Sequence, residues 1–352
     1  MRRISIVSPG GHDRLRIVEA PDPRPDPGEI RIEVEAIGVN FADCITRMGL
    51  YASARELVGY PITPGFEVAG TIEALGENVK GWSVGERVMA VTLFNAYQTC
   101  VCIPADQVFP VPEDWSLAAA AGFPAVFLTA WYGLFELAHP RSGERVLVHS
   151  AAGGVGQALV QLARLSGCEV TGVVGAAHKV AAVEALAEHV IDKSTVDLWS
   201  TAEAMAPGGF DIVFDANGVA TLRDSYRHLA PGGRLVVYGF HSMFRKGGSR
   251  VPWLKLARDW LRTPRFNPLD MTRSNRSVSA FNLSFMMEKK LLLLEGMRQL
   301  LAWAGDGAIR PLPVTRHPFD SVAEAHRALE SGQSTGKQVL VVGRAGTRSD
   351  FR

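Results

Sequence analysis

The chain carries the stretch Arg145-Val146-Leu147-Val148-His149-Ser150, followed by Ala151-Ala152-Gly153-Gly154-Val155-Gly156 and by the segment 157–164. The aliphatic first part predicts a buried parallel strand, the glycine-rich middle a tight turn, and the periodic apolar end a helix. Such a turn leaves backbone N–H groups of the helix N-terminus unpaired, with the positive end of the helix dipole behind them. That arrangement suits a phosphate or pyrophosphate. Because Ala151 occupies the first glycine position of the G-x-G-x-x-G fingerprint, a packing turn without a ligand stays open at this point.

The sequence on the two sides of this stretch has different patterns. Before about residue 110, short alternating runs separated by proline and glycine turns predict a compact β-rich domain. After residue 146, strand and helix patterns alternate with short glycine-rich joins, which predicts a doubly wound parallel sheet of the α/β class. A strand pattern near the C-terminus could rejoin the first domain. We therefore predict one domain made of residues 1–124 and 310–352, and a second made of residues 125–309.

Bulk properties narrow the class of protein. A length of 352 residues allows two domains with sizeable cores, and the net charge of +1 gives no reason to expect nucleic acid or stable membrane insertion. The four cysteines are scattered without a secreted-type framework, so we expect a reducing, cytoplasmic compartment. The uncharged segment 116–135 approaches the length of a membrane span. Because Gly122-Phe123-Pro124 interrupts it, we interpret it as two buried helices that meet at a kink.

A basic segment, near residues 241–280, does not fit a plain dinucleotide-binding domain. Trp253 and Trp260 lie seven residues apart in it and should share one helical face. One interpretation is a solvated basic helix with an aromatic anchor. The other is a basic wall for an anionic substrate such as a nucleotide-tailed thioester, or a patch for acidic lipid. The cationic residues of the segment are Arg245, Lys246, Arg250, Lys255, Arg258, Arg262, Arg265, Arg273 and Arg276.

Several motifs in order carry a family resemblance. A β-rich start is followed by Leu128-Thr129-Ala130-Trp131, by the glycine turn, by Phe214-Asp215-Ala216-Asn217-Gly218 and by Gly336-Lys337-Gln338-Val339-Leu340. The whole chain resembles the medium-chain dehydrogenase/reductase superfamily, in its zinc-free quinone oxidoreductase-like branch. Phe266-Asn267-Pro268 and the segment 275–283 are similar to the vesicle-amine-transport-protein-like subgroup, which carries a long insert where the basic segment lies. The resemblance implies a GroES-like catalytic domain, a Rossmann cofactor domain and a homodimer.

The resemblance also implies that a catalytic zinc is absent. Zinc-dependent alcohol dehydrogenases place a cysteine where this chain has Asn40 and a histidine where it has Phe66. A phenyl ring cannot bind zinc, and an asparagine is a poor ligand for it. The four-cysteine structural lobe is missing as well, because Cys100 and Cys102 have no second pair. We therefore expect no metal ligands in this chain.

Without a metal, the chemistry depends on the cofactor and a few side chains. The resemblance implies hydride transfer from a nicotinamide to an activated C=C bond or a quinone. It places Asn40 near the nicotinamide and matches Tyr51, in Arg47-Met48-Gly49-Leu50-Tyr51, to a proton donor of related enoyl-thioester reductases. The alternatives are an ordinary loop aromatic for Tyr51 and a turn cap for Asn40. Asp43 either orients a neighbour or caps the helix that starts there.

The cofactor prediction depends on the end of the second strand of the α/β domain. Enzymes of this fold that use NAD usually carry an acidic residue there, whereas the segment 173–179 has none. This loop leaves room for a 2′-phosphate, and Lys179 matches the family lysine that meets it, so we predict NADPH, with NADH as the alternative. The predicted cofactor-binding residues are Thr129, Ser150, Ala151, Gly154, Val155, Gly156, Gly175, Lys179, Asn217, Gly239, Phe240, Phe281, Leu283 and Lys337.

The sequence leaves the substrate open among an enoyl-CoA, an enone and a quinone. An enoyl-CoA such as 3-methylcrotonyl-CoA is one specific candidate. A different class of function also stays open, namely a catalytically silent NADPH-binding adaptor that acts through the basic segment.

Overall fold

The structure is a computed structural model that describes residues 1–244 and 251–343. Arg245, Lys246 and Arg250 of the basic segment, and the end of the first predicted domain (344–352), lie outside the described residues. The chain divides into two compact units. Unit 1 contains Met1–Ala125 and the C-terminal segment that starts at Arg310, and unit 2 contains the described residues of 126–309 apart from Val251.

The strands of the described chain are, in order, β1 Arg2–Ile6, β2 Leu15–Glu19, β3 Glu29–Val39, β4 Glu67–Leu75, β5 Arg87–Val91, β6 Cys100–Pro104, β7 Val108–Pro110, β8 Arg145–His149, β9 Glu169–Val174, β10 His189–Asp192, β11 Phe210–Asp215, β12 Leu229–Val237, β13 Ser277–Ala280, β14 Val314–Pro318 and β15 Lys337–Val341. The α-helices are α1 Phe41–Met48, α2 Leu117–Ala121, α3 Pro124–Trp131, α4 Gly154–Leu165, α5 Val180–Glu184, α6 Leu198–Met205, α7 Leu222–Arg227, α8 Trp253–Arg262, α9 Pro268–Ser274, α10 Lys290–Gly305 and α11 Val322–Glu330. Short 3₁₀ and π-helical turns connect several of them.

The larger sheet of unit 1 is organised around the long strand β3, and β1 and β2 form a separate two-stranded sheet. The residues of β3 alternate between a buried apolar set (Ile30, Ile32, Val34) and charged residues, so one face of the strand builds the core. The strand order is β14-β15-β3-β4-β5-β7, and β6 also pairs with β3. The C-terminal strand β15 runs antiparallel to β3, with Gln338 opposite Val39. This pairing brings the start of β15 to the end of β3.

The sheet of unit 2 is entirely parallel, with the order β10-β9-β8-β11-β12-β13. Strand β8 lies between β9 and β11, and its residues Val146, Leu147 and Val148 are fully buried. The chain leaves β8 toward β9 on one side and later returns to its other side as β11. In sheets of this kind the ligand crevice lies at the carboxyl ends of the strands, where the order reverses.

The uncharged segment 116–135 forms two short helices, as predicted, and a π-helical turn (Tyr132–Ala138) extends the second. Helix α2 ends at Ala121 with Gly122 as its C-cap, and Pro124 begins α3 because proline is well suited to the first turn of a helix. Among the described residues, no helix combines the length and apolarity needed to cross a bilayer.

Candidate active site

The glycine turn of unit 2 follows β8 and begins α4. Ser150 adopts a left-handed conformation with φ of 55°, which turns the chain sharply away from the strand. The N–H of Ala151 donates to the carbonyl oxygen of Val173 in β9 over 3.1 Å, so the turn is tied to the neighbouring strand. A Cβ atom on Gly156 would lie 2.3 Å from the carbonyl oxygen of Ser150. Only glycine allows the helix to start this close to the turn.

A second loop, at the end of β11, reaches the glycine turn. The buried carboxylate of Asp215 accepts the backbone N–H groups of Asn217 (2.8 Å) and Gly218 (3.0 Å). The hydroxyl of Ser150 donates to Oδ1 of Asn217 over 3.1 Å. Nδ2 of Asn217 is buried and has no hydrogen-bond partner within residues 1–244 and 251–343. An unpaired buried amide is costly, by about 1–3 kcal/mol, so this donor suits an acceptor on a ligand.

The predicted cofactor residues of unit 2 concentrate at one edge of the sheet. Ser150, Gly175, Asn217 and Gly239 each lie directly after or within two residues of the carboxyl end of a parallel strand. The loops after β11 and β12 are joined, because the N–H of His241 donates to the carbonyl oxygen of Ala216 over 3.0 Å. Backbone donors at a helix start and small residues are typical of dinucleotide sites, and the unpaired Asn217 amide adds a donor for a ligand.

Other predicted cofactor residues lie on neighbouring elements. Lys179 precedes α5 and is half-buried, and Thr129 lies in α3. The ring of Phe281 packs against Tyr132, with ring centroids 5.0 Å apart, and Leu283 begins a 3₁₀ turn. Phe240 is 40% exposed.

In unit 1, Asn40 lies between β3 and α1, at the N-cap position of the helix. Its backbone N–H donates to Oδ2 of Asp43 over 2.8 Å. Its side chain makes contacts away from the helix, because Oδ1 accepts from Nζ of Lys337 (2.5 Å) and Nδ2 donates to Oε1 of Glu67 (2.9 Å). The three side chains therefore form one hydrogen-bonded group, which we name the Asn40 cluster.

The two charged members of the Asn40 cluster are deeply buried. The side chain of Glu67 is 0% and that of Lys337 3% exposed, and Nζ lies 2.6 Å from Oε1. The second carboxylate oxygen of Glu67 accepts the N–H of Ala125 over 2.8 Å. Gly38 makes room for this carboxylate, since a Cβ there would lie 2.3 Å from Oε1. Glu67 is not among the residues predicted from the sequence, although an acidic residue directly before the apolar run Val68-Ala69-Gly70 is a signal that could have identified it.

Asp43 contacts the Asn40 cluster through the backbone N–H of Asn40. Besides the Asn40 N–H, its carboxylate accepts the N–H of Gly65 (2.9 Å) and the hydroxyl of Tyr97 (3.1 Å). Burial raises the pKa of this carboxyl to about 7, against the opposing effect of these hydrogen bonds. The Tyr97 hydroxyl also lies 3.3 Å from Nε2 of His326. The contacts of Asp43 fit both roles considered for it: it orients its neighbour Asn40, and it lies in the first turn of α1, where it can cap the helix.

Tyr51 lies in an aromatic cluster. Its ring meets those of Phe66 and Phe94 edge-on, with centroid distances of 6.0 and 6.3 Å. Phe66 directly precedes Glu67, so this aromatic cluster and the Asn40 cluster are built from the same entry into β4. Arg47, from the same sequence motif as Tyr51, is fully buried and pairs with Glu330 of α11. Its position indicates that the arginine of the motif supports the fold.

Comparison with known proteins agrees with this architecture. Residues 26–113 match the family of alcohol dehydrogenase GroES-like domains, and residues 186–340 match the zinc-binding dehydrogenase family. The chain is 34% identical over 346 residues to the human synaptic vesicle membrane protein VAT-1 homolog. The alignment covers 97% of this chain and 87% of that protein.

The chain belongs to the medium-chain dehydrogenase/reductase superfamily. The predicted family and the predicted fold class, a GroES-like domain with a Rossmann-type parallel-sheet domain, are thus confirmed.

Two solved structures of the superfamily are similar over nearly the whole chain. The CurK enoyl reductase has a TM-score of 0.83 at 28% identity, and covers 97% of this chain and 99% of its own. The quinone oxidoreductase of Escherichia coli, solved in complex with NADPH, has a TM-score of 0.82 at 28% identity. That alignment covers 97% of this chain and 100% of the other.

In this superfamily member, the positions that correspond to zinc ligands are engaged in other contacts. Both polar atoms of the Asn40 side chain are hydrogen-bonded, and Phe66 packs against Tyr51 and Phe94. Elsewhere in the described chain, ligand atoms of Cys44, His326 and Glu330 lie within 4.8 Å of one another. The carboxylate of Glu330 already pairs with the Arg47 guanidinium, which would repel a cation at that point.

Within the basic segment, Trp253–Arg262 forms the amphipathic helix α8, with Trp253 and Trp260 on one face as predicted. Both tryptophans are 67% exposed, and Leu254 and Leu261 beside them are 91% and 75% exposed. The interpretation of an aromatic anchor is therefore wrong. The side of the helix that carries Lys255 and Asp259 packs instead, because Lys255 donates both to the buried carboxylate of Asp259 and to the carbonyl oxygen of Ser242. Arg258 and Arg262 are exposed. We name the exposed apolar residues Trp253, Leu254, Trp260 and Leu261 the α8 stripe.

Proposed function

We propose that this protein is an NADPH-dependent reductase that transfers a hydride to an activated C=C bond or to a quinone, without a catalytic zinc. The observation that carries the proposal is the cradle at the ends of β8 and β11. There Gly156 permits a close approach to the backbone, and Nδ2 of Asn217 is a buried donor that lacks a protein partner in the described chain. The E. coli quinone oxidoreductase with NADPH and the CurK enoyl reductase support this class of reaction.

In this proposal the backbone N–H groups of Gly154, Val155 and Gly156 bind the pyrophosphate at the start of α4. Lys179, at the start of α5, binds the 2′-phosphate that distinguishes NADPH from NADH. We expect Lys179→Gln to weaken NADPH binding about tenfold, the loss of one charged contact, and to leave NADH binding unchanged. The same change at the exposed Lys289 serves as the matched control. Equal losses for both cofactors would contradict this assignment.

Bound NADPH would supply a hydride, and in this proposal Asn40 and Tyr51 handle the negative charge and the proton. Hydride addition to the β-carbon moves an electron pair onto the conjugated carbonyl oxygen. Asn40 donates an N–H to that oxygen while its negative charge develops. Tyr51 then gives its phenolic proton to the enolate, and the rings of Phe66 and Phe94 limit the access of water to Tyr51.

The experiment is steady-state oxidation of NADPH with crotonyl-CoA, 3-methylcrotonyl-CoA and 1,4-naphthoquinone as separate substrates. Turnover with any of them supports the proposal, and the ranking of kcat/KM identifies the substrate class. We expect treatment with a strong chelator to leave turnover unchanged, because a phenyl ring cannot bind zinc and the Asn40 amide is already hydrogen-bonded to Lys337 and Glu67. Loss of activity that added zinc restores would contradict the metal-free part of the proposal.

A second candidate function is an NADPH-binding adaptor that has no turnover. The α8 stripe favours it, because four large apolar side chains that are 67–91% exposed are typical of a contact surface. Tight NADPH binding together with no turnover on all three substrates would support the adaptor and contradict the reductase.

For the assembly and its compartment, we propose a homodimer in the cytoplasm. The four free cysteines are consistent with a reducing compartment. Sedimentation equilibrium of the purified chain tests the dimer, and a monomeric mass across the concentration range would contradict it.

A further inference from the structure

We propose that Lys337 and Glu67 are positioning residues that hold the Asn40 carboxamide in one orientation, so that its second N–H donates to the substrate oxygen that gains charge. This inference rests on the proposed function. It also limits the substrate class to compounds whose reduced bond is conjugated to an oxygen, such as enones, enoyl thioesters and quinones. It differs from the role predicted for Lys337 from the sequence, which was direct contact with the cofactor.

The first step of the argument is the chemistry of the contacts. An ammonium group has donors only, and an ionised carboxylate has acceptors only. Lys337 therefore requires the carbonyl oxygen of Asn40, and Glu67 requires its amide nitrogen. Rotating the amide by half a turn would place N–H against N–H and oxygen against oxygen. The orientation of this amide follows from the charges of its neighbours.

The second step is burial. Lys337 and Glu67 are 3% and 0% exposed, so water and salt screen their charges weakly. Both side chains pack closely against glycine backbone, Glu67 against Gly38 and Lys337 against Gly122. A Cβ on Gly122 would lie 2.8 Å from Cγ of Lys337. The pair can therefore hold Asn40 rigidly.

The third step concerns the second N–H group of the Asn40 side chain. Glu67 takes one of the two N–H groups on Nδ2, which leaves the other for a ligand. Asn40 is half-buried, whereas its two partners are inaccessible. Lys337 draws electron density from the amide oxygen, and this polarisation strengthens the remaining N–H as a donor. The arrangement provides a neutral donor with a cation behind it.

The test is a double-mutant cycle between Asn40→Ala and Lys337→Met, with kcat measured at saturating NADPH on 1,4-naphthoquinone. We expect each single change to lower kcat by about 10²-fold, the loss of one oriented donor, and the double variant to lose no more than Asn40→Ala alone. We expect Lys337→Arg to retain more activity than Lys337→Met. The dissociation constant of NADPH, from a fluorescence titration, should stay unchanged in Lys337→Met. Lys80→Met, at an exposed lysine of the same unit, is the matched control.

Additive losses in the cycle, or weaker NADPH binding with kcat preserved, would overturn the inference and leave the proposed function standing. No turnover by the unaltered protein would overturn both. Lys337→Met leaves the buried Glu67 carboxylate without its partner and can unfold the chain. The variant Glu67→Gln/Lys337→Met removes both charges together. In that background the Asn40 amide is free to rotate, so kcat should fall as in Lys337→Met, and an unchanged kcat would also overturn the inference.

Discussion

Replacing Gly156 by alanine tests the cofactor cradle at its tightest point. The added Cβ would lie 2.3 Å from the carbonyl oxygen of Ser150, and 2.8 and 2.9 Å from Cα and C of Ala151. All three are backbone atoms of the turn, which cannot rotate away as a flexible side chain can. Relief requires a shift of α4 or of the turn, and strain of this kind typically costs about 1–3 kcal/mol.

We expect Gly156→Ala to lower both the stability of the protein and its affinity for NADPH. In a domain of this size, each kcal/mol lost from the free energy of unfolding lowers Tm by about 2–4 °C, and we expect a loss of about 1–3 kcal/mol. Because the shift moves the N–H groups that we assign to the pyrophosphate, we expect NADPH binding to weaken at least about tenfold, or about 1.4 kcal/mol. Thermal unfolding with and without NADPH measures the first effect, and a fluorescence titration measures the second.

The matched control is Gly305→Ala, the same change at the end of α10. A Cβ there meets nothing within 4 Å, so we expect unchanged NADPH binding and equal or slightly higher stability. If Gly156→Ala bound NADPH as tightly as the unaltered chain, the cradle would not be the pyrophosphate site. If its Tm matched that of the control, the overlap with Ser150 would have been relieved without cost.

Three further predictions concern the catalytic residues and the basic helix. Tyr51→Phe should slow alkene reduction by about 10²-fold in a stopped-flow assay, because the phenolic proton is lost while the aromatic packing stays; an unchanged rate would exclude Tyr51 as the acid. Because the pKa of Asp43 is raised to about 7, its contribution to stability is full below its unfolded-state pKa and is lost as pH rises through about 7. Urea unfolding from about pH 4 to about pH 8 should therefore show a smaller fall for Asp43→Asn than for the unaltered chain, and equal slopes would contradict the shifted pKa. Reversing the charge of both Arg258 and Arg262 should raise KM for a CoA ester and leave KM for 1,4-naphthoquinone unchanged; equal effects on both substrates would argue against a basic wall for CoA.

Helix α8 shows which structural features a sequence pattern can predict and which it cannot. The spacing of Trp253 and Trp260 identifies a two-faced helix, but periodicity does not say which face packs. The usual expectation is that the apolar face is buried. Here Lys255 and Asp259 pack instead, since Lys255 reaches the carbonyl oxygen of Ser242, and the tryptophans stay exposed.

The glycine turn and the strand and helix on its two sides follow from the sequence alone, because their determinants are local. A strand of buried aliphatic residues, a turn that excludes Cβ atoms at Gly156 and a helix that starts at once occupy consecutive residues. The NADPH prediction is local as well, because it depends on the lack of an acidic residue in the few positions after β9. Propensity and sterics act within a few residues, so reading along the chain is sufficient for them.

The Asn40 cluster depends on the tertiary structure. Glu67 and Lys337 are 27 and 297 residues away from Asn40 in the chain, and nothing in their sequence positions shows that they meet Asn40. Only the order β15-β3-β4 brings the three strand ends together. A buried charge is stable only when its partner is in place, and that partner is chosen by strand pairing across the sheet.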